Sequence, residues 1–350
     1  MERRKLHELA SEKSKNDSFA QLKGFKEREF IHALKAFAIF SVICAHVASV
    51  DESFSTINIY LGRVLTTVGT IGVVVFLVVS GYLFSGNKYS FFLFMKKRAV
   101  RLMLPWFFCG SMVYLYVFLR KNEIGLRSYL QFMIGKGSYL YYVTVLFVLY
   151  LFAFAIRRNK IAIVLLLVLS VSSIFCTALT FIPREYAYIN PLNWLTYFMV
   201  GLIIGDYHQL ERIVVFIRMT FPFWILGSLG ILYFASKGDL DISSYWTKDF
   251  PFFVLFSFMS IVGICSSRAV QDSRLIIFVG KESYSIYLLH MPLAGIVNHL
   301  CNSYDYFPLT AIKPFVVLFA TAFSIALYIR IVMMFRKSDF LINLIGARKP

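Results

Sequence analysis

Lys35 and His46 stand eleven residues apart in the apolar run from Ala33 to Ala48. If that run is helical, about 100° and about 1.5 Å per residue return the second side chain to within about 20° of the first, about 16 Å further along the axis. Both residues then lie on one stripe, three turns apart. Ionisable side chains are costly in hydrocarbon unless they face a bundle interior or a wet cavity, so the pair marks a functional site. An imidazole there can move a proton or carry a group covalently, and an ammonium can hold an anion.

Three other clusters carry side chains of the same kind. Arg98 and Arg101 are three residues apart, and two guanidinium forks on one helical face suit a phosphate or pyrophosphate. The same pair also reads as an ordinary positive-inside anchor, started or kinked by Pro105. Ser80-Gly81-Tyr82 ends a second apolar run in which Gly69, Gly72 and Gly81 allow another helix to approach closely. Its hydroxyls could equally face a substrate. Further on, Ser283, Tyr287 and His290 share a face by helical spacing, as possible substrate-lining residues. A lone histidine near a membrane interface is more often structural, and this reading weighs against His290 and more strongly against His299.

The elements that must position these residues follow from composition. The chain is 59% hydrophobic and 18% aromatic but only 16% charged, with a mean hydropathy of +0.69. That is an all-α, polytopic transmembrane bundle. About ten spans are expected, near 31–50, 66–86, 102–119, 139–156, 161–182, 191–206, 213–235, 250–266, 275–296 and 311–333. The net charge of +17 points to topology and anionic lipid rather than nucleic acid. With the N-terminus inside, 25 of the 36 lysines and arginines fall on inner segments, which places both termini in the cytoplasm; Arg120 to Lys136 dissents. The expected domains are a basic arm over 1–30, a transmembrane unit over 31–335 and a short cytoplasmic tail over 336–350. Residues 1–29 lack the apolar core and cleavage site of a signal peptide. Five scattered cysteines, including Cys176, offer no metal spacing, and no metal or bound cofactor is expected. No Walker loop, dinucleotide fingerprint or HExxH pattern is present. Between the seventh and eighth spans, Tyr245 and Trp246 read as part of an interfacial aromatic belt.

Taken together, the clusters resemble the acyltransferase 3 family of bacterial integral-membrane O-acyltransferases. The family's basic residue, ten residues, then histidine is matched by Lys35 and His46. Its Gly-Val-x-x-Phe-Phe-x-x-Ser-Gly is matched by Gly72, Val73, Phe76, Ser80 and Gly81, with Leu77 in place of the second Phe. Its Arg-x-x-Arg with a nearby proline is matched by Arg98, Arg101 and Pro105, and its late Ser-Tyr-x-x-Tyr-Leu-x-His by Ser283, Tyr284, Tyr287, Leu288 and His290. His32 stands where the family usually keeps an acid, and Lys35 where it usually keeps arginine. The resemblance implies a multi-pass protein of the bacterial cytoplasmic (inner) membrane that moves an acyl group, usually acetyl, from acyl-CoA to a hydroxyl of a cell-envelope or exported polysaccharide. It implies His46 and Lys35 as catalytic residues, with Arg98, Arg101, Ser80 and Tyr82 toward the acyl-CoA. The expected partners are acetyl-CoA or another acyl-CoA as donor, a glycan or lipid-linked saccharide as acceptor, membrane lipids and a glycan-assembly complex. An exporter or flippase component for lipid-linked or nascent polysaccharide is the alternative, because an intramembrane lysine and histidine can also line a polar path.

Overall fold

A computed structural model describes residues 25–50, 53–119, 125–156, 160–175, 184–240, 242, 249–335 and 338–348. The basic arm up to residue 24, Cys176 and the Tyr245-Trp246 stretch lie outside the described residues. Within them every regular element is helical, as the apolar runs require. In chain order these are α1 (Glu27–Val47), α2 (Thr56–Ser85), α3 (Phe91–Arg98), α4 (Leu104–Leu119), α5 (Leu126–Ile134), α6 (Tyr141–Ile156), α7 (Lys160–Phe175) and α8 (Pro191–Asp206). After them come α9 (Leu210–Met219), α10 (Phe221–Lys237), α11 (Phe250–Cys265), α12 (Arg268–Gln271), α13 (Arg274–Lys281), α14 (Ser283–Cys301), α15 (Phe307–Val332) and α16 (Ser338–Leu344). Four helical stretches among the described residues are long and apolar enough to cross a membrane: α1, α2, the continuous run Phe91–Phe118 and α15. A fifth is added if α9 and α10, bent by 76° at their junction, count as one span.

The bundle is organised around α2, which packs on α1 and on α8. Small residues make both contacts close. A Cβ on Gly72 would meet the carbonyl oxygen of Ala38 at 2.6 Å, and one on Gly69 would meet Ala45 at 2.5 Å. On the other side, Gly81 faces the Phe198 carbonyl and Gly201 faces the Val78 carbonyl, each leaving only 1.9 Å for an added Cβ. Lipid tails are as apolar as the helices, so backbone approach and van der Waals contact hold such helices together. The glycines of the second run are therefore packing residues.

Polar clasps fix the ends of α1. At its start the Lys26 amide donates to Gln271 and the Lys26 ammonium pairs with Asp272 at 2.8 Å, which ties it to α12. At its end the carbonyl of His46 has no helical donor of its own and accepts from Asn298 of α14 at 2.9 Å. Gly280 of α13 lies against the carbonyl of His32, with 1.9 Å for an added Cβ. The helices that carry the candidate residues are thus held against α1 at both ends.

Candidate active site

Pro105 shapes the basic cluster. A proline has no N–H for the carbonyl four residues earlier, here Arg101, and its ring crowds that turn. The chain responds with a π-helical turn, Ala99–Met103, between α3 and α4. Both guanidinium groups still line one cavity of about 500 Å³. Arg98 is also steadied by aromatic faces, 5.0 Å from the Phe94 ring centre and 5.1 Å from Tyr150. Tyr284 of α14 donates its hydroxyl to the Leu102 carbonyl at 2.5 Å, which fastens the π turn to α14.

The same cavity is lined by Lys35, Ser80, Tyr142, Lys281, Ser283 and Tyr287, together with Arg348 from beyond the last span. Its described lining holds five cations and no carboxylate. The N-terminus of α14 opens onto it at Ser283 and Tyr284, and the unpaired amides there add partial positive charge. Such a lining attracts a polyanion and offers it bidentate partners. Ser80 lies 3.4 Å from the Tyr142 hydroxyl. Tyr82 does not reach the cavity lining: its hydroxyl donates to Glu27 at 2.7 Å.

A second cavity, of about 720 Å³, contains His46. Its lining is aromatic and small rather than charged: Tyr116, Tyr139, Tyr141, Tyr188, Gly69 and Gly295 border it. Lys35 and His46 share a helical stripe, yet they face different cavities. Tyr287 borders both and forms part of the wall between them. Its hydroxyl donates to the Tyr139 carbonyl.

Tyr139 and His290 complete the site through another proline. Pro292 inside α14 leaves the Leu288 carbonyl without its helical donor, and the Tyr139 hydroxyl supplies one at 2.8 Å. Together with the Tyr287 hydroxyl on the Tyr139 carbonyl, this fixes one turn of α14 against Tyr139. His290 is fully buried, and its Nδ1 lies 2.7 Å from the Tyr287 carbonyl and 3.2 Å from that of Ile286. Carbonyls only accept, so Nδ1 carries the hydrogen and Nε2 keeps its lone pair. That Nε2 is buried and has no hydrogen-bond partner among the described residues. The His290 ring centre is 5.1 Å from that of His46. Tyr139 stands edge-on to both imidazoles, at 6.4 Å from His46 and 5.5 Å from His290.

The structure therefore brings Lys35, Ser80, Arg98, Arg101, Ser283 and Tyr287 together in one cavity and places His46 on the lining of the next; His290 lies beside His46 but lines neither cavity. Tyr139 and Arg348 are additions that no local spacing announces. Tyr139 follows a glycine-serine turn, and Arg348 is separated from the arginine pair by more than 240 residues. No group of three His, Cys, Asp or Glu side chains that could hold a metal occurs among the described residues.

A bundle whose described elements are all helical, with helices long and apolar enough to span a membrane, a cation-lined cavity and a neighbouring cavity bordered by His46, is the architecture of an integral-membrane protein. A family model described as an acyltransferase domain matches residues 28–331, and the chain belongs to this acyltransferase 3 family. No curated protein and no solved structure matches the chain. By family it is a multi-pass membrane acyltransferase.

Proposed function

We propose that the protein is an O-acyltransferase that moves an acetyl group from acetyl-CoA, or another acyl group from its acyl-CoA, to a hydroxyl of a cell-envelope or exported polysaccharide. The observation that carries this reading is the adjacency of the two cavities across Tyr287, one lined by five cations and the other bordered by His46, whose ring centre lies 5.1 Å from that of the buried His290. Arg98 and Arg101 hold the phosphates of the donor, with Ser80 and Ser283 as further hydrogen-bonding groups. The long pantetheine arm then carries the thioester past Tyr287 toward His46, roughly the 16 Å that separates Lys35 from His46 along α1.

The neutral imidazole of His46 takes the proton of the acceptor hydroxyl as the oxygen attacks the thioester carbonyl. The carbon–sulfur bond breaks, the CoA thiolate leaves and takes up the proton, and an ester remains on the sugar. In a covalent variant His46 first accepts the acyl group and then passes it to the hydroxyl. Lys35 supplies positive charge to the donor during either sequence. His290 flanks His46, and the tyrosines of the second cavity face the glycan. On this reading the excess of lysine and arginine on the expected inner segments favours both termini in the cytoplasm of a bacterial inner membrane. The cationic cavity then opens inward, where acyl-CoA is made, and a glycan-assembly complex presents the acceptor.

Purified protein in vesicles, supplied with labelled acetyl-CoA and host glycan, should yield an acetylated glycan detected by mass spectrometry or NMR. Cells lacking the gene should lose the same ester. Unchanged glycan acetylation in those cells, with no transfer from labelled donor, would overturn the assignment and leave export as the better reading.

A further inference from the structure

The matched family domain ends at residue 331, yet the cationic cavity is completed by a residue beyond it. The segment from Ser338 to Arg348 is docked onto the bundle at several points. Tyr328 of α15 donates to the Leu341 carbonyl at 2.9 Å, and the Cys109 thiol of α4 contacts the Leu344 carbonyl at 3.7 Å. Ile342, Ile345 and Ala347 are buried. Gly346 has a φ of +72°, and a Cβ there would meet the Tyr284 ring at 2.7 Å and Pro105 at 3.3 Å. A glycine is needed at this point both for the left-handed turn and for the close approach. The turn delivers Arg348, whose amide donates to the buried carboxylate of Glu282 at 3.1 Å, just before α14 begins. With its backbone anchored in this way, the Arg348 side chain lines the same cavity as Lys35, Arg98 and Arg101.

We infer that Arg348 is a phosphate-binding residue of the donor cavity, supplied by a C-terminal segment that folds back onto the π turn and the start of α14. The inference rests on the acyl-CoA reading and deepens it: the tail joins the binding site and helps select a phosphorylated donor over a bare thioester. Glu282 accepts from the Arg348 amide and also acts on its guanidinium charge, but no side-chain hydrogen bond or ion pair of Arg348 occurs among the described residues. The guanidinium fork remains available for a bidentate contact.

The test is equilibrium binding of acetyl-CoA and of acetyl-pantetheine, which lacks the nucleotide phosphates, to the full chain and to its Arg348→Gln, Arg348→Lys and Gly346→Val variants. A charge-assisted hydrogen bond predicts that Arg348→Gln weakens acetyl-CoA binding about tenfold and leaves acetyl-pantetheine binding unchanged. Arg348→Lys should recover part of the loss, and Gly346→Val should reproduce it by lifting the segment away. Unchanged acetyl-CoA binding in Arg348→Gln would overturn the inference alone, and tighter binding would make the tail a plug instead. Equal weakening of both ligands would reduce Arg348 to a structural strap. If the unaltered protein binds no acetyl-CoA, the donor reading fails first, and the inference fails with it.

Discussion

The two cavities are neighbours, but they are built from opposite materials. One gathers Lys35 from within α1, Arg98 and Arg101 at and just beyond the end of α3, Lys281 at the end of α13 and Arg348 from the tail. The other is lined by tyrosines, glycines and apolar side chains around His46. Charged groups in a helical bundle are tolerable where they face one another's counter-ions, a ligand or water, whereas imidazoles can enter an apolar interior in their neutral form. Under the proposed function the contrast is a division of labour: the cationic side would recognise the donor's charge, and the aromatic side would manage protons away from water. Tyr287, shared by both linings, is where the two tasks meet.

Variants that separate the two tasks test this contrast. The largest effect is expected from His46→Ala, which should lower the rate of transfer about a thousandfold, within the range of a lost general base. A rate within threefold of the unaltered protein would remove His46 from the chemistry. Next, Arg98→Gln combined with Arg101→Gln should weaken acetyl-CoA binding about a hundredfold, while transfer at saturating donor stays near its original rate. If saturating donor fails to restore the rate, the arginines do more than hold phosphate.

Smaller effects sharpen the wall between the cavities. Tyr139→Phe removes the hydroxyl that serves the Leu288 carbonyl, so it should cost about 1 kcal/mol of stability in a thermal melt in detergent. It should also loosen His290, seen as a modest fall in transfer rate with donor binding intact. The smallest effect concerns a clip whose residues line neither cavity. Asp305 accepts from Ser55 and Asn58, and the Asn58 hydrogen bond chiefly holds its carboxyl below the usual carboxylate range. A depressed carboxylate stabilises the fold above its unfolded value and loses that contribution as pH falls through the folded one. The melting temperature should therefore drop slightly more on acidification for the unaltered protein than for Asp305→Asn, and parallel curves would remove the clip.

Much of the site is legible in the sequence because its parts are local. Lys35 and His46 lie on one helix, and Arg98 and Arg101 within one turn, so helical spacing alone joins each pair. The glycines of α2 are equally readable, although only the packing on α1 and α8 decides that Gly81 serves the Phe198 carbonyl rather than a substrate. What spacing does not carry is the contact between elements. His46 and His290 meet only because α14 is fastened to the end of α1 through Asn298. The Pro292 break predicts an orphaned carbonyl at Leu288, but nothing local names Tyr139 as its donor. Lys35 and His46 face separate cavities because the Tyr287 wall crosses their shared stripe, and Tyr82, adjacent to Gly81, turns toward Glu27. Arg348 is the most remote case, since its place depends on a tail that must first fold back.

The most direct measurement is the dissociation constant of acetyl-CoA for His46→Ala beside that of the unaltered protein, each paired with its rate of glycan acetylation. Equal dissociation constants with acetylation abolished are the result expected if recognition and proton transfer occupy different cavities. A variant that still acetylates, or one whose loss of activity follows from a matching loss of donor binding, would contradict that division.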